Sequence, residues 1–428
     1  MTRHEDVIFA KLMYHEPSEH IDPPNYHLLS AFMVRKTVHE QVTDAFIMSM
    51  ALQCLLLPPK TAEEHAERLG LDIATLIAIA QTRYLNGRPP VLKIGNLHLA
   101  WAYAQSPSDH QRFVNMLRVT PEVFQFILNL IDENEIFFNG STNGQAPVEQ
   151  QLAVTLYRMG RFGNAASLED IARTAGCSEG SVENYTARCF DAIEEFHSVF
   201  VRQLTPEEKE AEKKWMDEHL GFVGLWREGW IMYDGTIVVL YAKPGLNGGC
   251  VLHTKGKLWA QCSAHDALAF AGTAAARNPD WFFEGEEFAW GDSTYTVNSR
   301  TISVNKKPAA LDPDNTIFDK TLSRLRVRSE HCMGALKGRW QCLRGLRLSI
   351  NSNREHIAAC RWVTIATILH NIVVRVGGEE FGAHFAAAHG ETEEREDRGD
   401  AHQPLGDATD DTKRRRLVAE IVAFKNGN

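Results

Sequence analysis

"LWREGWIMYDGTIVVLY", residues 225–241, is the stretch on which the fold class turns. Aromatic and β-branched residues crowd around an Asp-Gly pair, which reads as strand, turn, strand. Everything before it is patterned for helices. Residues 1–107 form a helical region without recognisable chemistry, with runs such as "VTDAFIMSMALQCLLL" and "TAEEHAERLGLDIATLIAIAQTRYL". Residues 108–200 form a second helical block, in which "TPEVFQFILNLIDEN" opens with a Thr cap and Pro at the first helical position. A Lys- and Glu-rich linking helix fills 201–223. From 224 to 376 the pattern is α/β: the opening strands, a second strand signal in "EEFAWGDS", a basic helix, and the apolar helix "EHIAACRWVTIATILHNIVVRV".

With 428 residues, 44% apolar and 23% charged, the chain has room for two or three domains with sizeable cores. Its net charge of −10 is uneven. Residues 379–411 carry eleven acids and two arginines, a local −9, so the remainder stands at −10 − (−9) = −1. Residues 377–428 are therefore expected to be an acidic, largely disordered tail. At its end "TKRRRL" (412–417) reads either as a nuclear localisation signal or as the start of an amphipathic stretch, "RRRLVAEIVAFK". The eight cysteines form no CxxC pair, which points to free thiols in a reducing compartment. The apolar run 45–57 is too short to span a bilayer and ends in Pro58-Pro59, so no membrane association is expected.

Residues 167–190, "SLEDIARTAGCSEGSVENYTARCF", have helix-turn-helix spacing. Ala172, Gly176, Val182 and Tyr185 stand where two helices must approach, turn and pin together. Ser178 is placed to cap the second helix, with Ser181 and Asn184 as exposed contact positions. The charge argues the other way. From 167 to 193 there are five acids and two arginines, a net −3, where a DNA reader ordinarily needs positive charge. A packing unit and a DNA-binding unit are equally consistent with this.

Three carboxylates carry the candidate chemistry. Asp234 follows "GWIMY" and precedes Gly235; Asp292 follows "FAW" and Gly291. An acid at a strand end beside Gly can face a ligand closely. Glu330 is the lone acid among seven Arg or Lys between 321 and 347. Projected on a helix, Met333, Leu336, Trp340 and Leu343 make an apolar stripe, and Glu330, Gly334, Lys337, Gln341 and Arg344 make a second stripe at its edge. From there Glu330 can point toward the two Asp strands, and three converging carboxylates suit hard cations such as Mg²⁺. A two-metal site activates water for phosphodiester cleavage. The surrounding cations Arg326, Arg328, Lys337, Arg339 and Arg344 would contact the DNA backbone. The other arrangement open to Glu330 is an i−4 pair with Arg326 on a solvated face.

"MYDGT", "SAHDALAF", "GDSTYTV", "FDKTLSRLRVRSEHCMGALKGRWQCLRGLR" and "ILHNIVV" resemble successive blocks of the PIF/Harbinger transposases and the Harbinger transposase-derived nucleases. The likeness covers roughly residues 110–375. It implies a DDE endonuclease domain of ribonuclease H-like fold, with Asp234, Asp292 and Glu330 as metal-binding triad. It further implies Mg²⁺ or Mn²⁺ as cofactor, double-stranded DNA as substrate, and a nuclear protein with a cytoplasmic pool. A separate Myb-like DNA-binding partner and a homo-oligomer belong to the same expectation. Two departures stand out. Asp319 replaces the Asn that such proteins favour, and residues 249–262 have room for one strand comfortably and two only barely, where such proteins carry two. His265 and Asp266 match a family motif and read as structural. The short segment favours a second reading, a catalytically decayed or domesticated relative that binds DNA or protein.

Overall fold

The computed structural model describes residues 38–82, 93–138, 144–235, 238–242, 257–258, 273–385 and 411–427. The motif residues His265 and Asp266 and the acidic run 386–410 lie outside the described residues. Among the described residues, 38–82 form one unit and those from Lys93 onward another. In the first, helices α1 (Val38–Leu56) and α2 (Ala62–Gln81) pair, with His39 Nε2 donating to the Ile79 carbonyl at 2.7 Å. Thr61 caps α2 by accepting from the Glu64 N–H.

The second unit begins with a helical block: α3 (Leu99–Ala104), α4 (His110–Leu117), α5 (Pro121–Ile131), α6 (Val148–Met159), α7 (Leu168–Ala175) and α8 (Glu179–Glu194). Short α9 (His197–Phe200) leads to α10 (Pro206–Leu220), which opens with a full capping box between Thr205 and Glu208. The α7–α8 turn is made by Gly176 at φ +67, a conformation that glycine adopts without strain. A Cβ on the facing Gly95 would lie 2.3 Å from the Gly176 nitrogen, so both glycines are needed for backbone to pack on backbone there.

Strand β1 (Gly229–Met232) starts the α/β part, as the opening stretch predicts. Two-residue strands β2 (Val238–Val239) and β3 (Lys257–Leu258) pair antiparallel as a small separate ribbon. After α11 (Ala274–Arg277) come β4 (Phe288–Gly291) and β5 (Thr301–Ser303). The main sheet has the order β1-β4-β5, all parallel. Parallel strands are normally buried on both faces, and these are. Phe288, Trp290 and Ile302 face one core, and Ala289 faces another with Trp230, Tyr233 and Phe283. Gly229 is fixed by Trp290: the indole Nε1 donates to its carbonyl at 2.7 Å, and a Cβ would sit 2.2 Å from that nitrogen.

Helix α12 (Pro313–Arg339) holds Glu330. It is started by Asp312, which accepts from the Asp314 and Asn315 N–H groups, with Pro313 at the first position. Its first half buries Phe318, Leu322 and Leu325 against the sheet. Its last turn puts Leu336 and Trp340 into the helical core instead, with Leu343 just beyond. One helix thus joins the two cores. Helix α13 (Asn353–Gly382), kinked at Gly378, is long and apolar enough to cross a membrane, but it is mostly buried against the helical block through Trp362, Ile365, Leu369 and Ile372.

The expected disordered tail does not run to its end. Residues Thr412–Lys425 form α14, whose Leu417 and Ile421 are completely buried beside Met216, Trp226 and Phe318. Trp226 Nε1 donates to the Leu417 carbonyl at 3.0 Å. The amphipathic-helix reading of "TKRRRL" is realised by the packing, because two apolar side chains one turn apart meet an open aromatic face.

Candidate active site

Asp234 and Asp292 are positioned by one local device. Met232 and Trp290 are paired across β1 and β4, and the Tyr233 N–H donates to the Trp290 carbonyl at 2.7 Å. Each aspartate follows its paired residue by two positions, so both leave the carboxyl ends of neighbouring parallel strands at the same level. Neighbouring strands lie about 4.8 Å apart. The Asp292 Oδ1 accepts from the Thr294 N–H at 2.8 Å and from the Thr294 hydroxyl, which closes its turn.

Helix α12 crosses these strand ends. Asp319 anchors it beyond β5: its Oδ1 accepts from the Asn305 backbone at 2.8 Å and from the Asn305 amide at 3.0 Å. Burial pushes the Asp319 carboxyl upward, while the Asn305 bonds oppose the shift. Two strand steps, from β5 to β1, come to roughly 10 Å. Seven residues of helix rise by about the same distance, which brings Arg326 to β1. There Arg326 Nη2 lies 3.8 Å from Asp234 Oδ1, with both side chains at least nine-tenths buried. Glu330, one turn of about 6 Å further along the helix, is exposed. Its side chain makes no hydrogen bond or ion pair with the described residues, Arg326 included. The structure thus sets Asp234 and Asp292 at neighbouring strand ends, pairs Arg326 with Asp234, and leaves Glu330 exposed.

That arrangement bears on a metal ion. Among the described residues no group of three or more His, Cys, Asp or Glu side chains could hold one. The two aspartates suit a hard cation in type and level; in this arrangement a guanidinium stands at Asp234 and Glu330 is exposed.

The five cations expected at DNA phosphates divide. Arg326 faces Asp234. Arg328 is bidentate to Glu212, at 2.8 and 3.2 Å, and lies over the Trp215 ring. Arg339 is fully buried and donates to the Arg118 carbonyl at 2.6 Å and to that of Phe381. These three serve the fold, because long cationic side chains at a junction of two cores satisfy backbone carbonyls and carboxylates there. Lys337 and Arg344 are half-buried, Arg344 lying 4.8 Å from the Phe162 ring. In the α7–α8 unit, Ser178 caps α8 through the Ser181 N–H, and the two hydroxyls lie 2.8 Å apart. Asn184 and Glu183 are exposed.

Sequence reasoning missed the role of Arg326, and the Asn305–Asp319 clasp that sets the level of α12. The i to i+7 spacing of Asp319 and Arg326 on one helix face was the available signal. No curated protein and no solved structure matches the chain. The model of one family, DDE superfamily endonuclease, matches residues 253–371, a span that begins after Asp234 and holds Asp292, Arg326 and Glu330.

Proposed function

We propose that this chain is a transposase-derived endonuclease of the PIF/Harbinger kind, cutting phosphodiester bonds in double-stranded DNA. Its working carboxylates are Asp234, Asp292 and Glu330, with Mg²⁺ or Mn²⁺, on a ribonuclease H-like frame. The α7–α8 pair is its helix-turn-helix, and a Myb-like partner, self-association and a nuclear location complete the reading. The observation that carries it is the pairing of Met232 with Trp290, which sets two aspartates level at adjacent strand ends. The endonuclease family match over 253–371 supports the same reading. It requires Arg326 to release Asp234 and Glu330 to turn inward.

A second reading, a relative that binds DNA or protein without cutting, is favoured by one specific observation: the Arg326–Asp234 pair with Glu330 exposed. Nicking of supercoiled plasmid in Mg²⁺ or Mn²⁺ separates them. The endonuclease reading expects nicking by the natural chain and a loss of about a hundredfold or more in Asp292→Asn. Equal nicking by that variant would remove Asp292 from the chemistry. Absence of nicking, together with a melting temperature that Mn²⁺ does not raise, selects the second reading.

A further inference from the structure

Two stretches of the sequence are free of acid. Residues 150–168 contain Arg158 and Arg161 but no Asp or Glu, and residues 331–354 contain Lys337, Arg339, Arg344, Arg347 and Arg354 with none. They are far apart in the chain, yet α6 packs on the short 3₁₀ turn at Gln341–Arg344. Their side chains interleave with aromatic rings. The Arg161 guanidinium lies 4.3 Å from the Tyr157 ring centre, Arg344 lies 4.8 Å from Phe162, and Arg347 lies 4.0 Å from Tyr241. Phe162 and Tyr241 are exposed.

The cations are also crowded. Arg118 and Arg161 both donate to the Gly160 carbonyl, at 3.2 and 3.3 Å. Neither makes an ion pair with a described residue. Burial, and then the like charge of Arg161, push the Arg118 guanidinium down to about 10. Like charges held together without a counter-ion raise the free energy of the isolated fold, and an incoming anion would offset that cost. A guanidinium held over a ring is pre-organised and loses less freedom on binding. That geometry suits phosphate oxygens repeated along a strand.

We propose that Arg161, Arg344 and Arg347, carried on Tyr157, Phe162 and Tyr241, form a contact surface for the phosphate backbone of duplex DNA. It is separate from the Asp234–Asp292 pair and from the α7–α8 unit. The proposal rests on the reading that the chain acts on DNA. Seven residues separate Asp234 from Tyr241, at most about 25 Å of chain. That is less than one duplex turn of about 34 Å, so a single duplex can lie across both.

The test uses the full chain carrying Asp292→Asn, which keeps the DNA intact, and a labelled duplex of mixed sequence followed by fluorescence anisotropy over a range of salt. Adding Arg161→Glu and Arg347→Glu is expected to weaken binding by about tenfold or more and to lower the slope of log affinity against log salt by about one to two. The neutral changes Arg161→Gln and Arg347→Gln serve if the charge reversals lower the melting temperature. Unchanged affinity and slope in a folded variant overturn the surface, as does a parent chain that binds no duplex. Loss of binding to phosphatidylserine vesicles with DNA binding intact assigns the arginines to a membrane and also overturns it. The nicking assay stays independent: loss of nicking in Asp292→Asn with no effect of the arginine changes keeps the endonuclease reading and discards this surface. The reverse result keeps the surface and discards the carboxylates.

Discussion

At Asp234 the neighbour is a guanidinium, and this decides how the candidate site stands. A buried carboxylate needs a counter-charge or a cation, and Arg326 supplies the first at 3.8 Å. Reading Asp234 and Asp292 as strand-end acids needed only local pattern, because an Asp-Gly after an apolar strand is a local feature. The direction of Arg326 was not legible, since helical spacing alone allows it to face Glu330 or the sheet. The buried histidine of "ILHNIVV" offers a separate check. Burial, and then the nearby Arg339, push His370 down to about 3. Its folded value thus lies below the unfolded value of about 6.5. The neutral ring therefore stabilises the fold fully above pH 6.5, and that contribution is lost as pH falls toward 3. Each pH unit in the window removes up to about 1.4 kcal/mol. Urea denaturation at pH 7, 6 and 5 should show this slope in the natural chain and a shallower one in His370→Leu. Parallel slopes would exclude the assignment.

Among the elements, α12 and α14 carry most of the argument. The apolar stripe projected on one helix was legible in part: Leu336 is buried and Met333 half-buried in α12, whereas Trp340 and Leu343, though buried, lie past its end at Arg339. Its level along the sheet was not, because that depends on Asp319 meeting Asn305 across 14 residues of chain. For α14, composition and periodicity disagreed. A basic cluster after an acidic run reads as tail, while Leu417 and Ile421 one turn apart read as a packed face. Packing prevails because Trp226 donates to Leu417 and Lys413 donates to the Glu286 carbonyl at 2.9 Å, so even the first turn of the helix is tied down. Leu417→Asp should therefore destabilise the chain by about 3 kcal/mol or more, by placing a charge among aromatic rings. Arg415→Ala, at a largely exposed side chain, should stay within about 0.5 kcal/mol. Chemical denaturation followed by tryptophan fluorescence reads both, and equal stabilities would mean α14 is not part of the core.

Across the whole molecule, the described cores draw their residues from Leu97 to Ile421. A chain starting at Lys93 is thus expected to unfold in a cooperative transition near that of the full chain, checked by thermal melting with circular dichroism. A broad, non-cooperative melt would show that the first unit is needed for those cores. The sequence by itself determined the succession of a helical block and an α/β part, the capping at Thr120 and Ser178, the apolar faces, and the two aspartates at strand ends. All of these follow from interactions within a few residues. Only the tertiary structure decided which cations are buried, where α12 stops relative to β1, and that "TKRRRL" starts a core helix. Those depend on contacts between segments far apart in the chain, where burial and charge pairing outweigh local composition.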